Sequence, residues 1–371
     1  MLRIRYFAAA AAAVALWATP LRAEEKLTAS LKKGTPDLHS IGALAFGPEG
    51  ILFVGDAIGG AVFAIDTGDR EPCKETDPLQ VEGLDGKFAS LLGIEAKQLQ
   101  INGMAVNPIS TRVYFSVSRG KGPEAKPVLL RVDRKGKAEE VSLRDVPFAK
   151  AMLSDAPAPD ARGGFGGRQP LRPMAITQLA YIKGNVYVAG LSSEEWSSAF
   201  RSIPFPFKDA EKGASVGIFH GSHGRFETNA PIRTFLPIDI NGEANLLAAY
   251  TCTPLVKIPL KELKPGAKVK GVTVAELGNR NTPLDMISYQ KGGKEYLLIA
   301  NTSRGVMRVS TEGIDKAAGI TKRVPDKAGL PYEEIKGLGK VEHLAKLNKD
   351  NALLLVRADD GSLNLKTIAL P

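Results

Sequence analysis

Short apolar runs separated by polar turns recur along this chain. Six of the runs, each rich in Val, Ile, Leu, Tyr or Phe and of strand length, lie at 51–56, 113–118, 186–190, 246–251, 296–301 and 353–357. They recur about every 50 to 75 residues, and runs of this length and composition are typical of buried β-strands.

Each of these runs has an apolar neighbour on both sides. The preceding strands are predicted at 43–46, 103–106, 178–181, 235–238, 285–288 and 343–346. The following strands are predicted at 62–66, 129–133, 216–219, 255–258, 306–309 and 363–366. The first and second strands are joined by turns of Gly, Asn, Pro and Asp, which adopt the dihedral angles that tight hairpins need.

Three antiparallel strands with a weaker outer strand make one blade of a β-propeller. The sequence therefore predicts an all-β protein, a six-bladed β-propeller over residues 24–371, with seven blades as the main alternative. A pair of β-sandwiches is a further alternative, but sandwiches do not repeat the same strand order six times. A ring of repeats also explains a chain longer than one ordinary hydrophobic core.

The N-terminus has the pattern of a leader. Arg3 and Arg5 precede an Ala-rich apolar run, and small residues follow as far as Ala23. This predicts a signal peptide over 1–23, cleaved near Ala23, and an exported protein, periplasmic or secreted. An uncleaved membrane anchor is the alternative, and no other stretch is apolar enough to span a bilayer.

Charge and cysteine usage narrow the function classes. The chain carries 49 basic and 40 acidic residues, a net charge of +9, and loss of Arg3, Arg5 and Arg22 with the leader reduces it to +6. The basic residues are scattered, so nucleic acid is not an expected partner. Cys73 and Cys252 form no zinc or haem motif and are expected to be free thiols, although an oxidising compartment permits a disulfide.

The segment 101–108, Ile-Asn-Gly-Met-Ala-Val-Asn-Pro, followed by Val-Tyr-Phe at 113–115, resembles the strand opening of the six-bladed NHL and gluconolactonase (senescence-marker-protein) superfamily. The resemblance implies a divalent cation such as calcium on the channel axis. It implies Asn102 as one metal ligand and Asp285 as another. The first blade, at 40–44, lacks the carboxylate that this family uses there.

The long connections indicate where a ligand should bind. In a propeller, the loops between second and third strands and the connections between blades lie on one face. Loop insertions are predicted at about 119–127, 134–175 and 192–214, and all three are expected on that face. Loops on a rigid scaffold commonly carry binding residues.

The same face should collect polar residues from the strand ends. Candidate ligand-binding residues are Asp56, Arg119, Gln178, Trp196, Asn301, Arg304 and His343. His39 and His343 are expected on neighbouring blades, one and six, where they could pair. Trp196 shares its segment with Phe200, Phe205 and Phe207, which either form a ligand-stacking surface or pack the loop onto its blade.

The sequence supports two hypotheses of function, one of binding and one of catalysis. The favoured hypothesis is a protein that binds a small molecule, a peptide or a partner protein at the loop-bearing mouth of the channel. The alternative is a metal-dependent hydrolase or lactonase of the gluconolactonase type, with Asn102 and Asp285 as metal ligands. A quinone-dependent dehydrogenase is a weaker third option. No hydrolase motif is visible in the sequence.

Overall fold

The structure, a computed structural model, describes residues 26–75, 77–164, 167–208 and 210–371. The predicted leader, 1–23, lies outside the described residues. Of the described residues, 49% are in strands and 8% in helices, and six small sheets form a six-bladed β-propeller. The predicted all-β class and six-bladed fold are confirmed, and the seven-bladed alternative is excluded.

Residues 32–152 supply blades one and two. Their strands are β1 (Lys32–Gly34), β2 (Leu44–Phe46), β3 (Ile51–Asp56), β4 (Ala61–Asp66), β5 (Gln80–Val81), β6 (Leu99–Val106), β7 (Val113–Arg119), β8 (Lys126–Val132), β9 (Ala138–Glu140) and β10 (Val146–Met152). Counted outward from the channel, blade one is β2-β3-β4-β10-β1 and blade two is β6-β7-β8-β9. Blade one therefore takes its fourth strand from beyond blade two.

Residues 162–277 supply blade three and most of blade four. Their strands are β11 (Arg162–Gly163), β12 (Gln169–Pro170), β13 (Gln178–Ile182), β14 (Asn185–Leu191), β15 (Ser198–Pro204), β16 (Ala214–His220), β17 (Arg225–Glu227), β18 (Ile232–Ile240), β19 (Glu243–Tyr250), β20 (Pro254–Pro259), β21 (Lys268–Lys270) and β22 (Val272–Leu277). Blade three is β13-β14-β15-β16-β17, with β21 parallel to β16, while β11 and β12 form a separate hairpin.

The remaining strands complete the ring. They are β23 (Pro283–Lys291), β24 (Lys294–Asn301), β25 (Val306–Ser310), β26 (Lys327–Gly329), β27 (Tyr332–Ile335), β28 (Val341–Lys346), β29 (Asn351–Arg357) and β30 (Leu363–Ala369). Blade four is β18-β19-β20-β22-β26, blade five is β23-β24-β25-β27, and blade six is β28-β29-β30-β5. Blade six therefore takes its outer strand from the segment between blades one and two.

Six hydrophobic clusters, one between each pair of neighbouring blades, define the order around the ring. Blade one packs against blade two through one cluster and against blade three through another. Further clusters join blades three and four, four and five, and five and six. The last cluster joins blade six to blade two. The ring order is therefore one, three, four, five, six, two.

This order corrects the prediction that blades one and six are neighbours. After blade two, the chain returns along the outer edge of blade one as β10, which pairs with β4. It then enters blade three on the other side of blade one. His39 and His343 consequently lie on blades that are separated by blade two, and each pairs with an aspartate of its own.

The predicted insertion at 192–214 contains a strand. Ser198–Pro204 forms β15, the third strand of blade three, and the run at 216–219, predicted as the third strand, belongs to the fourth, β16. The prediction failed because Arg201 interrupts the apolar pattern of β15. Arg201 is only 1% exposed, since Asp155 neutralises it at 2.6 Å.

The predicted insertion at 134–175 is likewise partly strand, since it contains β9, β10 and the β11–β12 hairpin. The segment at 119–127 does include a connection between second and third strands, β7 and β8. Of the three predicted insertions, therefore, only this one has no further strand between the two strands that it joins.

Helical structure is minor. Helix α1 (Leu84–Leu92) packs Leu84, Phe88 and Leu92 into the cluster between blades two and six. Short 3₁₀ turns lie at Leu27–Ser30, Pro48–Gly50, Ala96–Gln98, Gly122–Glu124, Arg172–Met174 and Leu260–Glu262. Within the described ranges, no helix has the length and apolarity needed to cross a membrane.

Candidate functional site

A cavity of about 1230 Å³ lies at one mouth of the channel. Its walls include Ile58, Ala125 and Thr302, which belong to connections between second and third strands in blades one, two and five. The face with these connections is called the upper face below. The 3₁₀ turn Arg172–Met174, just before blade three, completes the rim with Pro173 and Met174.

Polar residues on the inner strands join neighbouring blades at this cavity. Asn102 donates through Nδ2 to the carbonyl oxygen of Ile41 at 2.9 Å and to Ser118 Oγ at 2.8 Å. Gly103 is required beside it, because a Cβ there would lie 2.8 Å from the carbonyl oxygen of Gly42. The Asn-Gly pair of the family-like motif therefore connects blades two and one in this protein.

Asp56 organises the rim of blade one. Its carboxylate is fully buried and accepts hydrogen bonds from the backbone N–H groups of His39, Ser40 and Gly59 at 2.8–2.9 Å. Nδ1 of His39 lies 3.5 Å from the same carboxylate, while the His39 side chain is 60% exposed and lines the cavity. Asp56 therefore shapes the loop that presents His39, and His39 is the residue available to a ligand.

Asp285 and His343 form the corresponding pair between blades five and six. Oδ2 of Asp285 lies 3.1 Å from Nδ1 of His343 and accepts the backbone N–H of Leu344 at 3.0 Å. Burial acts to raise the pKa of Asp285, but the hydrogen bond from His343 and the nearby charges of His343 and Arg233 lower it below its usual value. Asp285 is therefore ionised at neutral pH and holds the ring of His343 at the cavity wall.

The charged wall of the cavity is basic. Arg357 and Lys340 line it, but each has a carboxylate partner, Glu342 at 2.5 Å and Asp359 at 2.7 Å respectively. Arg233, at the start of β18, also lines the cavity and is half-buried. An ion pair requires a carboxylate oxygen within 4.0 Å of a guanidinium nitrogen. No carboxylate of the described residues lies that close to Arg233. Arg233 is thus the cation that remains for a ligand.

The donor set at the mouth does not fit a calcium site of the gluconolactonase type. Such a cation needs about six oxygen ligands, several of them anionic. Of the proposed ligands, Asn102 uses its amide nitrogen to join the blades and has only one uncharged oxygen left to offer, and Asp285 already holds His343 and Leu344. The carboxylate that lines the cavity, Glu342, is paired with Arg357.

The other predicted residues do not line the cavity. Gln178 accepts the backbone N–H of Phe235, which connects blades three and four, and Asn301 is buried against Asn281. Arg304 pairs outward with Asp326 and Glu334. Arg119 is exposed at the end of β7.

The aromatic residues near Trp196 are mostly core residues. Phe205 packs edge-on against Phe53, with ring centroids 5.0 Å apart, in the cluster between blades one and three. Phe200 packs in the same way against Phe235 of blade four. Trp196 contacts Phe226 within blade three and is not part of the cavity wall. Of the two alternatives from the sequence, a ligand-stacking surface or packing of the segment, the structure therefore shows packing.

Sequence reasoning missed Arg233, Lys340, Glu342 and Arg357. Arg233 occupies the second position of an inner strand whose apolar pattern was read as core, and nothing in the linear pattern shows that its side chain faces the channel. The available signal was the two-residue periodicity of a strand, which places alternate residues of β18 on the same face. It would have placed Arg233 on the wall only if the start of that strand had been known.

The fold and this mouth define the class: a six-bladed β-propeller with a ligand-sized, basic cavity on its axis. No family model matches the chain, and no curated protein matches it in sequence.

Solved structures with a similar chain course include a PQQ-bound aldose sugar dehydrogenase from Streptomyces coelicolor, at 13% identity, 91% coverage of this chain, 96% of that chain and a TM-score of 0.35. A putative oxidoreductase (glucose dehydrogenase) from Thermus thermophilus is 13% identical over 91% of this chain and 99% of that chain, with a TM-score of 0.38. The extracellular region of plexin A4 is 7% identical over 92% of this chain and 40% of that chain, with a TM-score of 0.42. Likeness at this level carries no argument about activity or ligand.

Proposed function

We propose that this protein binds a small organic anion in the cavity at the upper mouth of the channel. The observation that carries the proposal is Arg233, a half-buried guanidinium on the cavity wall with no ion-pair partner among the described residues. Small-molecule sites are concave and mostly apolar, with a few polar groups that orient the ligand. A cavity of about 1230 Å³ has room for such a ligand.

The neighbouring groups suit an organic anion as well. A guanidinium presents its N–H groups in a planar fork that matches a carboxylate or phosphate. His39 and His343 line the same cavity, and each has an aspartate beside Nδ1, which leaves Nε2 for a ligand. Apolar residues such as Ile41 and Leu284 form the rest of the wall and would contact the organic part of the ligand.

The test is a binding survey with the mature protein. Citrate, glucuronate and glucose 6-phosphate serve as anionic probes and glucose as the uncharged comparator, with affinity measured by calorimetry and supported by the melting temperature. We expect at least one anion to bind, and Arg233→Gln to weaken that binding about 10-fold or more through loss of a charged hydrogen bond.

The matched control is Arg308→Gln. Arg308 lies on β25 of blade five and pairs with the exposed Glu333 at 2.6 Å, away from the cavity wall. This variant should bind the anion as the wild type does. If none of the anions binds, or if Arg233→Gln binds as tightly as the wild type, the proposal fails.

We propose further that the protein acts after export, with residues 1–23 removed. The support is the leader pattern at the N-terminus. Expression of the full chain in a Gram-negative host should deliver a periplasmic protein whose first residue, by N-terminal sequencing, is Glu24. A cytoplasmic product that retains Met1 would contradict the proposal.

A further inference from the structure

A second cluster of reactive side chains lies on the upper face between blades three and four. His220 is the last residue of β16, and His223 lies in the tight turn that leads to β17. Cys252 lies in the connection between β19 and β20 of blade four. The ligating atoms of the three side chains lie within 4.8 Å of one another, and none of the three residues lines the channel cavity.

From this cluster we infer a binding site for a zinc-class divalent ion, with His220, His223 and Cys252 as ligands. Two imidazole nitrogens and a thiolate are ligands that zinc prefers, whereas calcium and magnesium select oxygen. Zinc–ligand bonds of about 2.0–2.3 Å require ligand atoms about 3.5 Å apart. The 46% exposed side chain of His223 can make the small approach that this requires.

Glu227 supplies the second shell that such a site needs. Its two carboxylate oxygens lie 2.9 Å from Nδ1 of His220 and 2.7 Å from Nδ1 of His223. Histidine ligands of metals characteristically donate their second ring nitrogen to a carboxylate, which fixes the ring and its tautomer. One glutamate thus orients both imidazoles through Nδ1, so Nε2 of each is the nitrogen for the metal. Nε2 of His220 lies 3.1 Å from Oγ1 of Thr253, and bound metal would take the place of that hydrogen bond. Arg225 holds that glutamate in turn, at 2.8 Å.

A second buried glutamate fixes the backbone on both sides of the cluster. Glu276, only 1% exposed at the end of β22, accepts the backbone N–H of Gly221 at 2.6 Å and the hydroxyl of Ser222 at 3.2 Å. It also accepts the hydroxyl of Thr253. These three residues adjoin His220, His223 and Cys252 in sequence, so Glu276 holds the two ligand-bearing turns together.

The site has three protein ligands, and its outer side is open. His223 is about half-exposed and Cys252 is partly exposed, so an ion can enter from solvent and a fourth position remains for water or another ligand. Because the ligands come from two blades, bound metal would cross-link blades three and four. Metal that binds only the folded state stabilises it by mass action.

The experiment uses mature protein treated with chelator and a non-thiol reductant, and Zn²⁺ alone as the probe. We expect one zinc per chain by calorimetry, a rise in melting temperature with zinc, and no response to Ca²⁺. Cys252→Ser and His223→Ala should each weaken zinc binding at least about 100-fold, since each removes a ligand. With Co²⁺ in place of zinc, a thiolate-to-metal charge-transfer band should appear in the wild type and vanish in Cys252→Ser.

The chain contains matched controls for both ligand types. Cys73→Ser removes the other cysteine and His39→Ala an exposed histidine, and both variants should bind zinc as the wild type does. Absence of zinc binding, or binding that Cys252→Ser and His223→Ala leave intact, overturns the inference. Arg233→Gln should not affect zinc binding, so this test and that of the anion site fail independently.

Discussion

At the scale of single residues, buried polar side chains hold the ring together where blades meet. Asp69, in the connection after β4, is the clearest case: its carboxylate has no exposed surface and accepts hydrogen bonds from Asn107, Ser110, Arg112 and Tyr114 of blade two. Four donors from one neighbouring blade satisfy a single buried charge. Such a network stabilises the fold only while it is complete.

Replacing Asp69 with Asn should therefore destabilise the protein. The substitution removes the charge that neutralises Arg112 and leaves at least one donor unsatisfied, for an expected loss of about 3 kcal/mol in the free energy of unfolding. Urea unfolding followed by circular dichroism measures the loss. Asp359→Asn, which changes a fully exposed aspartate, is the control and should leave the unfolding midpoint almost unchanged. Equal effects of the two substitutions would contradict this role for Asp69.

The same carboxylate predicts a pH dependence. Burial acts to raise the pKa of Asp69, but hydrogen bonds from Ser110 and Tyr114 and the charge of Arg112 lower it below the ordinary value of 3.8. The unfolded chain then binds a proton that the native state does not, so this stabilisation is present above about pH 3.8 and is lost as the pH falls further. In urea unfolding between pH 6 and 3, the stability difference between wild type and Asp69→Asn should shrink at the acid end. A constant difference would argue against the lowered pKa.

At the scale of elements, one strand is held by a buried ion pair as well as by apolar residues. Arg201 of β15 donates to Asp155 at 2.6 Å and to the carbonyl oxygens of Ala175 and Leu191 at 3.2 and 2.8 Å. Asp155 also accepts the backbone N–H of Gly213 at 2.9 Å. The ion pair therefore holds the segments at Ala175, Leu191 and Gly213 together. It makes β15 part of the blade, although the sequence pattern of β15 was read as a loop.

Deletion of residues 194–212 should for this reason unfold the protein. The deletion removes β15, the aromatic core residues Phe200 and Phe205, and the partner of Asp155. We expect no cooperative thermal transition and a proteolysis-sensitive product. Replacing 120–125, an upper-face connection of blade two, with a two-glycine turn is the control and should preserve a cooperative transition. A folded 194–212 deletion would refute the assignment of this segment to the core.

At the scale of the whole molecule, the ring is closed by strands that change places along the chain. Blade six is completed by β5, from between blades one and two, and blade one is completed by β10, from beyond blade two. Blades six and one are not neighbours, because blade two lies between them. No strand is therefore needed to join blade six to blade one. This arrangement makes blades one, two and six dependent on one another.

A pair of engineered cysteines tests the ring order. Gln80 and Lys366 are exposed partners in the β5–β30 ladder, and facing residues of an antiparallel pair are within reach of a disulfide. In a Cys73→Ser, Cys252→Ser background, Gln80→Cys with Lys366→Cys should form a disulfide on mild oxidation, seen as a mobility shift reversed by reductant. Lys33→Cys with Lys366→Cys, which would join blade one to blade six in a sequential ring, should not. The opposite result would refute the ring order.

The recurrence of apolar strands and tight turns was enough to predict the propeller and its six blades. The reason is local: a strand that is buried on both faces must be apolar, and a hairpin turn must contain residues that tolerate its dihedral angles. The same periodicity placed His39, Asn102 and His343 near the channel mouth, since it located the inner strands that they precede or belong to.

The rest was decided by the tertiary structure. Arg201 is buried only because Asp155 forms an ion pair with it. Among the described residues, Arg233 lines the cavity without a carboxylate at ion-pair distance, because the carboxylates nearby pair with other residues. His220 and Cys252, 32 positions apart in the chain, meet only because blades three and four are adjacent. Apolar burial is dictated by each residue's own chemistry, whereas the role of a charged or metal-binding side chain depends on distant partners. The sequence alone therefore determined the architecture, and the contacts between blades determined the sites.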